Sequence, residues 1–374
     1  MYARLDVARF TLLLLLVGWT GSAFQPLAAE PKPSVPDSRV QPGAKFSVSF
    51  PDLAKDRKGN VSEMEVSIPK DYDPNRTYPL LVWLSGGDGS SSIGPGASLV
   101  DPDKFILAGM PFPRGANNPN QSNMVGNFPV IWAYHRTMLK ELHRVVPNIS
   151  PDFRVLGGFS NGAHCIDGSM KGAREYFNTF ILAEGGGTDP ASYPPSRGCH
   201  VFACWGSQSP GKAYVPTAAK KAARAGMKVT AVEMKGEGHE FPEEYQKKVH
   251  EWMESVVIPE VSEAILARAR NMIATRPSDA LMAARGIEAL VGEKDEKIKA
   301  ETARIAERVE TASRKEFDTI KAALGGEKTP AQRKPAEQKL KSFAARYRGT
   351  KEADEAAKLL NPAEKEAETQ KKDE

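Results

Sequence analysis

Gly158-Phe159-Ser160-Asn161-Gly162 is the stretch on which the reading of this chain turns. It has the form Gly-x-Ser-x-Gly. Ahead of it, Phe153-Arg154-Val155-Leu156-Gly157 is a short apolar run of the length of a buried strand. Behind it, Ala163 to Met170 contains no proline and reads as the opening of a helix. A serine on a sharp strand-to-helix turn projects its hydroxyl above the sheet. Glycines must flank it where neighbouring backbone comes too close for a Cβ. The pattern makes Ser160 a candidate nucleophile.

A serine nucleophile needs a base, an orienter for that base, and donors for a developing oxyanion. His239 is the candidate base. It stands in Gly236-Glu237-Gly238-His239, after the last strand-like run and before a helical one, and it follows the serine in chain order. His135, His143 and His250 fall within helical patterns and read as packing or surface residues. His164, one turn along the helix after Ser160, points away from the open side of the serine and reads as packing. The expected oxyanion donors are the Asn161 N–H and an N–H of Gly87 or Asp88, in the glycine-rich loop Ser85-Gly86-Gly87-Asp88-Gly89-Ser90.

Working outward, residues 43 to 257 alternate strands and helices. Phe46–Phe50 and Glu63–Ile68 alternate with period two and suit antiparallel edge strands. Pro79–Leu84, Thr179–Ala183 and Val201–Trp205 are continuous apolar runs that suit central strands, and Lys228–Met234 is a further strand. Helical patterns lie at 130–146, 217–225 and 242–257. Such alternation predicts an α/β fold with a mostly parallel sheet covered on both faces.

With these pieces in place, residues 43–257 resemble an α/β-hydrolase of the secreted esterase type, the group of polyhydroxyalkanoate depolymerases, feruloyl esterases and acetylxylan esterases. The matching pieces are Tyr78-Pro79-Leu80-Leu81-Val82-Trp83-Leu84 leading into Gly86-Gly87, the segment Gly157 to Gly162, and Gly236 to His239. The resemblance covers somewhat over half the chain. It implies a three-layer α/β sandwich and an acyl-enzyme reaction on a small-molecule or polymer ester. No Gly-x-x-x-x-Gly-Lys loop, paired Cys motif or His-Glu-x-x-His helix occurs, so no cofactor or metal is expected.

The sequence departs from that family at two places. The family's triad acid follows the second strand after the elbow strand, in a Gly-x-x-Asp turn; this chain has Gly206-Ser207-Gln208-Ser209 there. Ser85 stands where the family often has His. No carboxylate occurs between Ala191 and Val232. One reading moves the acid one strand earlier, to Asp189 in Gly185-Gly186-Gly187-Thr188-Asp189-Pro190, with Glu184 a poorer choice because it leaves the strand directly. The other reading has no acid, with Gln208 or Ser209 accepting the imidazole N–H. That second reading describes a weak or inactive member of the fold that serves as a binding or envelope-associated module.

Beyond residue 257 the composition changes. No Trp, Cys or His follows, and Ala, Glu, Lys and Arg dominate. Ile298, Ile305, Val309, Phe317, Ile320 and Leu324 form a helical stripe. Residues 343–360 weakly resemble a tetratricopeptide-like helix pair. A helical C-terminal region is therefore expected over 258–360, able to contact a protein or the cell envelope, with a charged, disordered tail over 361–374. At the other end, Arg4 and Arg9 precede the apolar run Phe10–Trp19, and small residues follow at Gly21-Ser22-Ala23 and Ala28-Ala29. This is the layout of a signal peptide over 1–29, followed by a Pro-rich linker over 30–42. Export to the periplasm or medium is expected, with an uncleaved anchor as the alternative. The net charge of +4 on 374 residues implies no nucleic-acid partner. Cys165, Cys199 and Cys204 allow either one disulfide or three buried thiols.

Overall fold

The computed structural model describes residues 37–56, 58–111, 128–189, 191–292, 295–324 and 330–360. The leader, the first part of the linker, most of the polar stretch 111–127 and the charged tail lie outside the described residues. Among the described residues no helix is long and apolar enough to cross a membrane.

Eight strands form one sheet. They are β1 (Lys45–Phe50), β2 (Ser62–Ser67), β3 (Tyr78–Leu84), β4 (Ile106–Gly109), β5 (Ile149–Phe159), β6 (Thr179–Ala183), β7 (His200–Gly206) and β8 (Lys228–Met234). Their order is β1-β2-β4-β3-β5-β6-β7-β8. β1 pairs antiparallel with β2, and β2 antiparallel with β4; every pairing beyond is parallel. This topology, with helices on both faces, is the α/β-hydrolase fold. Every residue of β3 is buried, as a central strand covered on two faces requires, whereas the edge strand β8 is half-exposed. β4 was not anticipated from the sequence, because four residues, Ile106-Leu107-Ala108-Gly109, carry too little periodicity to stand out.

Side-chain alternation along the strands builds two cores. Leu80, Val82 and Leu84 of β3 face α2 (Phe128–Val145), α3 (Asn161–Ala173) and α4 (Val215–Arg224). Leu81 and Trp83 face the opposite way, into a cluster that includes Tyr245, Val249 and Trp252 of α5 (Glu243–Trp252). Cys165, Cys199 and Cys204 are buried thiols outside any disulfide, which is the second of the two cysteine readings. Burial pushes the Cys199 thiol up to about 11 and raises Cys204 further.

The second core does not stop at the hydrolase layers. A single π-helical turn, Met253–Val257, joins α5 directly to α6 (Ile258–Met272). α7 (Pro277–Val291), α8 (Glu296–Leu324), α9 (Pro330–Arg346) and α10 (Lys351–Leu360) follow. Ile265, Leu281, Ile305, Phe317 and Phe343 belong to the same apolar cluster as Leu81 and Trp83. The stripe read from the sequence is buried at Ile298, Ile305, Val309, Phe317 and Ile320. Backbone contacts fix the seam: the Thr77 N–H donates to the Met282 carbonyl at 3.1 Å, and Lys104 Nζ donates to the Leu290 carbonyl at 2.9 Å. Gly286 permits the close approach, since a Cβ there would lie 2.3 Å from the Thr77 oxygen. The C-terminal helices thus cover part of one face of the sheet.

Candidate active site

Ser160 follows β5 immediately and precedes α3, with φ 53° and ψ −118°. An L-residue rarely adopts this conformation, and its cost persists only where surrounding contacts enforce it. Its N–H donates to the Ala183 carbonyl at 2.8 Å, and its own carbonyl accepts the His164 N–H at 3.0 Å. The two glycines are steric requirements. A Cβ on Gly162 would sit 2.0 Å from the Leu84 carbonyl oxygen, and one on Gly158 would sit 2.7 Å from the Gly162 carbonyl carbon.

His239 reaches Ser160 from the loop after β8, with Nε2 2.8 Å from Ser160 Oγ. That loop is tied to the one after β7: the Gly236 N–H donates to Ser207 Oγ at 2.9 Å, and the Gln208 N–H donates to the Glu237 carbonyl at 2.9 Å. The Phe159 ring lies beside the imidazole, centroids 5.4 Å apart.

The other imidazole nitrogen is met by Glu184, not by Asp189. Glu184 Oε2 lies 3.3 Å from His239 Nδ1, and the carboxylate is fully buried. Glu184 is the first residue after β6 and has φ 57°. Its N–H still donates to the Cys204 carbonyl at 2.9 Å, so the left-handed turn occurs within the ladder. A buried carboxylate requires hydrogen-bond donors. The Gly206 N–H donates to Oε1, and the Ser209 hydroxyl donates to Oε2. Ser209 Oγ also accepts the Gly211 N–H at 2.9 Å and stands 3.4 Å from His239 Nδ1. Ser209, in the turn after β7, therefore holds a carboxylate delivered from the neighbouring strand.

Asp189 is correspondingly a correction. Its Oδ1 accepts the Ala191 N–H at 3.0 Å, its N–H donates to Asp167 Oδ2 at 3.0 Å, and its carbonyl accepts from Lys221 Nζ at 2.9 Å. Those bonds make it a turn residue anchored on the buried Asp167, which also receives Lys221 Nζ at 2.9 Å and the Tyr193 hydroxyl. The carboxylate that stands beside His239 comes from the same strand end as Asp189 but is Glu184, which leaves β6 directly. An extended residue at that position would aim its side chain elsewhere. The positive φ of Glu184 and the length of its side chain change that aim, and the signal was in the adjoining Gly185-Gly186-Gly187.

The loop holding Gly87 and Asp88 packs on the elbow. Asn161 Nδ2 donates to the Gly87 carbonyl at 2.9 Å, and Gly87 has φ 59°. The structure thus brings Asn161, Gly87 and Asp88 to the Ser160 side of the sheet. Ser85 bonds within its own loop, to the Ser92 carbonyl at 3.4 Å. His164 supports the floor: its Nδ1 accepts the Gly186 N–H at 3.1 Å, and burial lowers its pKa. Among the described residues no group of three or more His, Cys, Asp or Glu side chains is placed to hold a metal ion.

No family model matches the sequence, and no curated protein matches it. Solved structures do match, at low identity. One assigned as a dipeptidyl aminopeptidase IV from Bacteroides ovatus is 14% identical, with a TM-score of 0.43 over 56% of this chain and 35% of that one. A thermostable esterase is 18% identical, with a TM-score of 0.42 over 59% of this chain and 62% of that one. A mutant of the feruloyl esterase module from Clostridium thermocellum, complexed with sinapinate, is 16% identical, with a TM-score of 0.41 over 61% of this chain and 94% of that one. This chain spans about a third of the first of these structures and under two thirds of the second.

Proposed function

We propose that this chain is an exported serine hydrolase that cleaves carboxylic esters through an acyl-enzyme on Ser160. The observation that carries the reading is the continuous line Ser160 Oγ, His239 Nε2, His239 Nδ1, Glu184 Oε2, with gaps of 2.8 and 3.3 Å at its two ends. Nucleophile, base and carboxylate stand in the order and spacing that acyl transfer needs.

In the first half-reaction His239 Nε2 takes the Ser160 proton as Oγ attacks the ester carbonyl. The carbonyl π pair moves to oxygen, and the oxyanion is received by the Asn161 N–H and an N–H of Gly87 or Asp88. The imidazolium is stabilised by Glu184, which keeps the Nδ1 tautomer fixed throughout. Collapse breaks the bond to the leaving alcohol, which departs with the proton from His239. Water then repeats the sequence on the acyl-Ser160 ester and releases a carboxylic acid. The leader-like N-terminus, Arg4 and Arg9 before Phe10–Trp19, supports the exported location in this reading.

Turnover of a short-chain nitrophenyl ester by the purified protein tests the reading. Wild type is expected to hydrolyse it, and Ser160→Ala to lose at least about 10³-fold in kcat, leaving what binding and the oxyanion donors supply. Equal turnover by the two proteins would remove Ser160 from the chemistry.

A further inference from the structure

The strands end near Ser160 on one edge of the sheet, and a second polar site lies on the other. A crevice of about 380 Å³ opens between the starting ends of β5 to β8 and helix α6. Seven residues of strand rise put it about 20 Å from the serine edge. One wall carries Arg154, Arg197 and Lys228; the facing wall is Val261, Ala264 and Ile265 of α6.

Arg154 is the informative residue. It is only 6% exposed. Its Nε donates to the Ser150 carbonyl at 2.9 Å, and its guanidinium stacks 4.1 Å above the Tyr176 ring. These contacts fix the plane of the group. Arg154 lines the crevice, and among the described residues its Nε is the one side-chain nitrogen that donates a hydrogen bond. The two carboxylates that also line the crevice are engaged with other cations or with His200: Asp152 pairs with Arg268, and Glu260 pairs with Lys228 and stands 3.5 Å from His200 Nε2. Burial pulls the Arg154 pKa below its ordinary value, and Asp152 does not offset this. His200, at the floor of the crevice and 2% exposed, carries a buried Nδ1 without a partner. A buried cation at a cavity wall with no carboxylate bonded to it is costly unless an anion completes it.

We infer that this crevice binds a small organic acid, its carboxylate taken in two parallel hydrogen bonds by the Arg154 fork and its short apolar body laid against Val261, Ala264 and Ile265. The planar fork matches a carboxylate in two-point contact, and the stacked Tyr176 ring holds it ready for that geometry. The cavity volume is in the range of small-ligand sites. A phosphate would satisfy the fork but leave the apolar wall uncovered.

Isothermal titration of the full chain with hexanoate, with inorganic phosphate and with chloride at matched ionic strength tests the inference. Titrations are repeated on protein whose Ser160 has been blocked by a fluorophosphonate, and on Ser160→Ala protein. Hexanoate is expected to bind one site in all three forms, with phosphate at least tenfold weaker. Arg154→Gln is expected to abolish this binding. Should that variant fail to fold, Ala264→Glu, an exposed change on α6 that places a carboxylate in the crevice, is expected to weaken hexanoate at least tenfold. Absence of hexanoate binding to wild type would overturn the inference. So would binding lost on blocking Ser160 and retained in Arg154→Gln or Ala264→Glu, which assigns it to the serine cleft, or phosphate binding as tightly as hexanoate. None of these outcomes depends on ester turnover, so this inference and the hydrolase reading fail separately.

Discussion

The Ser209 hydroxyl donates to Glu184 beside His239. Two adjacent strands thereby meet at the imidazole: β6 supplies the carboxylate, and the β7 turn supplies a hydroxyl that holds it. The geometry also explains why Ser209 is tolerated at that position. An Asp there would stand against the buried Glu184 carboxylate, and two such groups cannot both ionise at close range.

Glu184 and Asp189 are separable by kinetics. Glu184→Gln preserves shape while removing the charge that stabilises the imidazolium, and it is expected to lower kcat by about 10³ to 10⁴. Asp189→Asn should cost less than about tenfold, because its carboxylate serves a turn. Steady-state rates on a nitrophenyl ester check both. The reverse order would return the acid to Asp189.

Ser209→Ala removes one donor from the buried carboxylate and one acceptor from the Gly211 N–H. A loss of about 1–3 kcal/mol in transition-state stabilisation is expected, or about 10- to 100-fold in kcat/KM. Ser209→Asp removes the same donor and sets a second carboxylate against Glu184, so it should lower kcat/KM at least as far as Ser209→Ala. Wild-type kcat/KM in both variants would show that the Ser209 hydroxyl does not support Glu184.

The C-terminal helices are expected to be inseparable from the hydrolase layers. A chain ending at Val257 uncovers an apolar face at Phe153, Val155 and Phe202, which pack in the cluster with Ile265 and Leu281. Loss of several such side-chain contacts, each worth about 2 kcal/mol, should lower Tm by more than about 10 °C or abolish cooperative unfolding. Gly286→Val is the point version, driving a side chain into the Thr77 carbonyl, with an expected cost of about 2–4 kcal/mol. Calorimetry measures both.

Stability should fall on mild acidification. His135 is buried with Nε2 2.9 Å from the Pro111 carbonyl, and burial pushes its pKa down to about 4. Unfolded His titrates near 6.5, so between pH 6.5 and about 4 the unfolded chain binds the extra proton. The stabilisation is fully present above pH 6.5 and is lost as pH falls towards 4, by up to about 1.4 kcal/mol per pH unit. Urea midpoints at pH 7.5 and pH 5, for wild type and His135→Gln, check the sign. The variant should show the shallower dependence.

Much of this arrangement was legible in the chain. The elbow was, because its Gly-x-Ser-x-Gly pattern lies between a recognisable strand and a helix, although the contact that forces Gly162 comes from Leu84, far away in sequence. His239 was, because its Gly-x-Gly-His loop follows a recognisable strand. The central strands were, as continuous apolar runs. Glu184 was not, because its role depends on a left-handed φ and on Ser209, 25 positions away, meeting it across a strand pair. The union of the helical region with the sheet was not either. An amphipathic stripe reports that a face is buried and leaves open which surface buries it.

The proposed chemistry rests on Ser160 as a nucleophile activated by His239 and Glu184. Intact mass after reaction with a fluorophosphonate tests this. A single adduct is expected on wild type, mapped to the Ser160 peptide, absent in Ser160→Ala, formed at least about 10²-fold more slowly in Glu184→Gln, and formed at near wild-type rate in Asp189→Asn. No adduct on the folded wild-type protein, or an adduct that survives Ser160→Ala, would contradict it.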